Sequence, residues 1–231
     1  MARILFVLTG ADHWTLADGT KHPTGFWAEE LLAPYRVFVE DGHEIAVATP
    51  GGVRPVVDEA SLAPGANGGE EGAARARREV AEIPQLESPL VLADIDTAAY
   101  DAVFYPGGHG PMEDLASDAD SARVITETLA ADKPVALVCH GPAALVATSD
   151  APGGPPFAGR RLTAFTNAEE TQGGLAAKAP WLLQDRLREL GADFVEAEPW
   201  GPHVVVDGRL LTGQNPASSL PLAQELSAAL R

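Results

Sequence analysis

The chain has 231 residues, 45% of them hydrophobic, which is enough to bury a sizeable core. Its 33 acidic residues outnumber 16 lysines and arginines, giving a formal charge of −17. That balance argues against nucleic acid and anionic membranes as partners, since both repel an acidic surface at long range. The single cysteine, Cys139, excludes an intrachain disulfide framework and fits a reducing compartment. The apolar start is short, no signal-peptide cleavage region follows it, and no stretch reaches the length of a membrane span. A cytoplasmic protein is the expectation.

Ile4–Leu8 is a continuous apolar run, the pattern of a strand buried on both faces of a parallel sheet. A polar loop, Ala11–Gly25, follows and carries Asp12, His13, Trp14 and His22. Loops leaving the carboxyl end of a first strand face the ligand crevice of an open α/β sheet. Phe26–Asp41 reads as a helix that Pro34 bends or divides, and His43–Thr49 as the second strand. Gly65–Gly72 reads as a mobile surface turn, and Ala73–Glu82 as a charged, solvated helix whose arginines need no ligand. Ala102–Tyr105 predicts a third strand, Ala119–Ala131 a helix, and Val135–Val138 a fully buried strand. Beyond it come a loop at Pro152–Pro156, a strand at Arg161–Phe165, a loop at Thr166–Thr171 and an amphipathic helix at Trp181–Leu190. Val204–Thr212 reads as a hairpin turning at Asp207-Gly208, and Gln214–Ser219 opens the last helix. Strands alternate with helices and no linker is evident, so residues 1–231 are expected to form one α/β domain.

The chemistry centres on Val138-Cys-His-Gly-Pro142. A strand that passes straight into a Gly-Pro helix start makes a sharp corner, the geometry of a nucleophile elbow with cysteine as nucleophile. The helix dipole is expected to favour the thiolate there. A small buried hydrophobe is the other reading of a lone cysteine. Gly107-Gly108-His109-Gly110 after a strand offers backbone N–H groups to a developing oxyanion, or is only a tight turn. Its spacing does not fit a dinucleotide fingerprint. Glu29 and Glu30 point about 100° apart on a helix, so one can turn inward and stay protonated beside a thiol. Of Glu169 and Glu170, one can orient the His140 imidazole in a Cys-His-Glu arrangement. Solvated surface acids are the alternative for both pairs.

Taken together, Thr24–Tyr35, Phe104–Gly110, Val138–Ala143, Thr163–Thr171 and Asp207–Ser218 resemble the superfamily of DJ-1, the PfpI peptidases and class I glutamine amidotransferase domains. Within it the chain is most similar to the Hsp31-like glyoxalase III branch. The resemblance implies a flavodoxin-like α/β sandwich with a mostly parallel central sheet and helices on both faces. It implies Cys139 as nucleophile, Glu30 as its proton partner, and His140 with Glu170 as the remaining triad. The backbone N–H groups of Gly108 and His140 would form the oxyanion hole, and His109 and Trp14 would line the pocket. The implied reaction is lyase chemistry, methylglyoxal or another 2-oxoaldehyde to lactate through a Cys139 hemithioacetal, without glutathione, metal or nucleotide. The same residues also fit an amidase, peptidase or deglycase, and an oxidisable Cys139 fits a stress-response chaperone or redox sensor. A homodimer is the oligomeric state that the resemblance implies.

Overall fold

The computed structural model describes residues 1–231. Strand β1 (Arg3–Val7) leads through a short hairpin, β2 (His13–Thr15) and β3 (Lys21–Pro23), into helix α1 (Ala28–Glu40) and β4 (Glu44–Thr49). Residues 50–101 hold α2 (Glu70–Ala81), the two-residue β5 (Leu90–Val91) and isolated turns of 3-10 helix. β6 (Ala102–Tyr105), α3 (Gly110–Glu113), α4 (Ala119–Ala130), β7 (Val135–Val138) and α5 (Ala143–Val146) follow. The rest comprises β8 (Arg161–Leu162), α6 (Asn167–Gln172), α7 (Leu183–Glu189), β9 (Asp193–Phe194), β10 (Val204–Asp207), β11 (Leu210–Gly213) and α8 (Ser219–Ala229).

The long apolar runs pair into a seven-stranded sheet of order β10-β11-β7-β6-β1-β4-β5. Every pairing is parallel except the β10–β11 hairpin at one edge. Alternate residues of each strand feed opposite faces. Leu5, Val7, Val103, Tyr105, Val135 and Leu137 pack beneath α4, α5 and α7, while Ile4, Phe6, Phe104, Ala136 and Val138 pack beneath α1 and α8. The two clusters hold 27 and 23 residues, so the faces share the core almost equally and both must be covered. This is the mostly parallel, doubly covered sandwich expected from the sequence. From β1 the chain crosses to β4 on one side and later returns to β6 on the other. That reversal opens a crevice at the carboxyl ends of β1, β6 and β7. No helix is long and apolar enough to cross a membrane.

Several local expectations are corrected. The loop after β1 contains the β2–β3 hairpin, held by its own ladder and by α3: Glu113 accepts from Thr15, and Asp114 from Thr9, Gly10 and Ala11. Helix α1 runs unbroken through Pro34, which only deprives the Glu30 carbonyl of its usual donor. Residues 65–72 are tied down rather than loose. The Asn67 amide donates to the carbonyls of Ser61 and Ala63, and α2 already begins at Glu70. The strand expected at Arg161–Phe165 stops at Leu162 and pairs only with β9, outside the main sheet. The loop expected at Thr166–Thr171 is helix α6, because Thr166 and Glu169 close a reciprocal capping box.

Candidate active site

Cys139 occupies the corner between β7 and α5 with φ +60, a left-handed conformation unusual for a residue with a side chain. Its N–H donates to the Gly213 carbonyl, and its carbonyl accepts from Phe165, so the corner is fixed from both sides. The residue is only 4% exposed and lines a cavity of about 730 Å3. The neighbouring β6–α3 turn approaches so closely that a Cβ on Gly107 would lie 2.6 Å from the His140 nitrogen. A Cβ on Gly108, at φ +86, would meet the Gly25 carbonyl at 2.3 Å. Only glycine fits either place. The backbone N–H groups of Gly108 and His140 have no acceptor in the backbone network, and that of His140 is directed at the Cys139 sulfur. Both remain available to an oxygen formed above that sulfur.

Glu30 lies in the first turn of α1 and is completely buried, whereas Glu29 turns to solvent near Arg36. Its Oε2 accepts from the Gly107 N–H at 2.6 Å. Oε1 has no hydrogen-bond partner, and the Glu30 carboxyl and the Cys139 thiol each alter the other's titration. Burial pushes the Glu30 carboxyl up to about 8. Burial, reinforced by Glu30, also pushes the thiol well above its ordinary range. This reverses the expectation of a thiol acidified by the helix dipole. α5 is a single turn, and its weak dipole does not offset the loss of water around the sulfur.

On the other side, His140 Nδ1 lies 3.4 Å from Sγ and His140 Nε2 is 2.7 Å from Glu170 Oε2. Glu170 also bonds His109, with 3.0 Å between Nε2 and Oε1. Burial opposes ionisation of Glu170, yet the flanking His140 and His109 hold its carboxyl well below the usual carboxylate range. Burial and the neighbouring His140 push the His109 imidazole below its ordinary value. The ligand atoms of His109, His140 and Glu170 lie within 4.8 Å of one another, a grouping able to hold a metal ion.

The fold thus brings Cys139, His140, Glu170, Gly108 and His109 around one cavity, with Glu30 buried beneath its lining. Trp14 is placed differently: it is 1% exposed and stacks behind His109 at 5.0 Å, supporting that ring rather than facing the cavity. Phe165 and Trp200 were not singled out by the sequence, and Glu169, weighed there only as a partner for His140, has another role. Phe165 packs against His140 at 4.5 Å, and Trp200 stands at the cavity wall. Glu169 is buried and accepts hydrogen bonds from the N–H and hydroxyl of Thr166, the Trp200 N–H, and the amides of Gln214 and Asn215. The T-x-x-E spacing was the one sequence signal of its capping role.

The DJ-1/PfpI family model matches residues 23–229. The chain is a member of the DJ-1/PfpI family. Among similar members, Glyoxalase 3 of Candida albicans is 31% identical over 99% of this chain and 98% of its own length. Protein/nucleic acid deglycase HchA of Pseudomonas aeruginosa is 31% identical over 94% of this chain and 77% of its own. The crystal structure of glyoxalase III from Candida albicans superimposes with a TM-score of 0.82 at 28% identity, covering 99% of this chain and 97% of that one. In this DJ-1/PfpI member the strained cysteine, buried acid and His–Glu pair therefore sit on a scaffold shared along almost its whole length.

Proposed function

We propose that this chain is a glutathione-independent glyoxalase that converts 2-oxoaldehydes such as methylglyoxal to 2-hydroxy acids. The observation that carries the reading is the Cys139 thiol held between Glu30, whose carboxyl titrates at about 8, and the His140–Glu170 pair. Likeness to Glyoxalase 3 along the whole chain supports it. His140 Nδ1 takes the thiol proton, and Glu170 stabilises the imidazolium through Nε2. Sulfur then adds to the aldehyde carbon, and the oxygen formed accepts from the N–H groups of Gly108 and His140. His140 returns the proton to that oxygen, giving a hemithioacetal.

The carbon now bonded to sulfur lies beside Glu30. An acid titrating near 8 exchanges protons in both directions at neutral pH. Glu30 removes the proton on that carbon and returns it to the neighbouring carbon of the enediol, while the hydroxyl proton of the first carbon passes to the former ketone oxygen. The resulting thioester is hydrolysed by water, releasing lactate and the thiol. The same family membership supports lyase chemistry in a cytoplasmic homodimer, with light scattering in solution as the check on the dimer.

The test is direct detection of lactate formed from methylglyoxal by purified protein, without glutathione and with a chelator present. The wild type is expected to turn over. Cys139→Ala is expected to abolish lactate formation, and Glu30→Gln to lower kcat by about 100-fold or more. Folded wild-type protein that consumes methylglyoxal without producing lactate would falsify the reading.

A further inference from the structure

The cavity over Cys139 is larger than a three-carbon substrate requires. Its volume of about 730 Å3 falls in the range of sites that enclose drug-sized ligands. A dicarbonyl bonded through its aldehyde carbon to Sγ fills only the floor, so the substituent on the ketone carbon is the part that reaches outward. Two kinds of wall meet it. One carries Asp12, His22, Asp58, Glu59 and Lys178, whose polar groups an apolar substituent would strip of water. The other is aromatic. Phe165 lies 4.5 Å from the His140 ring, and Trp200 stands edge-on to Phe165 at 5.5 Å.

Trp200 is held there against two opposing terms. Its φ of +65 is left-handed, which costs a residue with a side chain about 1–2 kcal/mol. The residue is also 47% exposed, so apolar surface stays in water. The conformation is nevertheless enforced at both ends. The Trp200 N–H donates to the buried Glu169 at 2.8 Å, and the indole N–H donates to Gln172 at 2.6 Å. Strain maintained by a buried carboxylate beside a reaction cavity points to a task for the ring.

We infer that Phe165 and Trp200 form an aromatic shelf that selects 2-oxoaldehydes bearing an aryl or comparably bulky apolar substituent over methylglyoxal. The inference rests on the glyoxalase reading above and adds the substrate's side chain to it. The bonds balance as for the smaller substrate. Sulfur adds to the aldehyde carbon, and the hydrogen on that carbon leaves as a proton while its electron pair reduces the adjacent ketone. Water then displaces the thiol, leaving the 2-hydroxy acid, so the oxidation and reduction are internal.

Phenylglyoxal and methylglyoxal are the probes, with mandelate and lactate measured as products so that arginine modification does not register. For the wild type, kcat/KM with phenylglyoxal is expected to exceed that with methylglyoxal by about tenfold or more. Trp200→Gly accepts the left-handed backbone without strain and keeps the fold while removing the indole. It is expected to shrink that ratio about tenfold, mainly through a higher KM for phenylglyoxal, whereas Trp200→Phe retains most of it. Turnover of methylglyoxal without preference for phenylglyoxal, or a ratio unchanged in Trp200→Gly, overturns the inference and leaves the glyoxalase reading standing. Turnover of neither substrate removes both.

Discussion

Glu30 sits in an environment far from water. Its folded carboxyl titrates at about 8, against an ordinary 4.5, because burial penalises the charged form. The folded chain therefore retains a proton that the unfolded chain releases, and stability falls as pH rises between 4.5 and about 8. Glu30→Gln cannot ionise and lacks this slope. Its melting temperature is expected to exceed that of the wild type by about 5–10 °C at pH 9 and to converge with it at pH 5. Melts followed by circular dichroism across that range decide the point; parallel curves would mean that Glu30 is not held protonated. The opposite effects of this variant, higher stability in alkali and lower turnover, separate a functional acid from a structural one. The adjacent Glu29 supplies the comparison, being half-exposed and paired only loosely with Arg36 at 3.9 Å, although partial burial raises its carboxyl as well.

At the scale of elements, helix α6 does more than its six residues suggest. It delivers Glu170 to His140 and His109, while Glu169 fastens the helix to the Trp200 segment and to Gln214 and Asn215. Thr166→Ala removes one side of the capping box and is expected to cost about 1 kcal/mol. Glu169→Gln sets an amide donor against a ring of donors and is expected to cost about 3 kcal/mol, read from urea midpoints. Equal losses in the two variants would show that Glu169 serves only as a cap. Part of this was readable in the chain. Gly107 and Cys139 stand out because few residues tolerate a tight turn or a strained corner, whereas the choice of Glu30 over Glu29 rested on the family resemblance. Glu169's five hydrogen bonds were not readable, since three come from residues 31 to 46 positions away and no local pattern encodes them. The β2–β3 hairpin was hidden for the same reason. Its His13-Trp-Thr15 strand is polar at both ends, and Trp14 is placed by its contact with His109.

Across the whole molecule, the apolar runs at Ile4–Leu8, Ala102–Tyr105 and Val135–Val138 carried enough information for a sheet covered on both faces. Strand order was not encoded locally, yet it is what gathers the ends of β1, β6 and β7 into one crevice. That crevice leaves the chain with one thiol, sealed except through the cavity. Two alkylating reagents of different width consequently measure different events on the same atom. Iodoacetamide enters the cavity and samples the native sulfur. A maleimide carried on a polyethylene glycol chain is too wide to follow and reacts only after α1 and the sheet part, so its rate counts openings of the fold. Each molecule accepts a single tag, and mass spectrometry reads both rates from the same sample. A ligand seated in the cavity slows the narrow reagent directly, and slows the wide one only as far as it stabilises the closed fold.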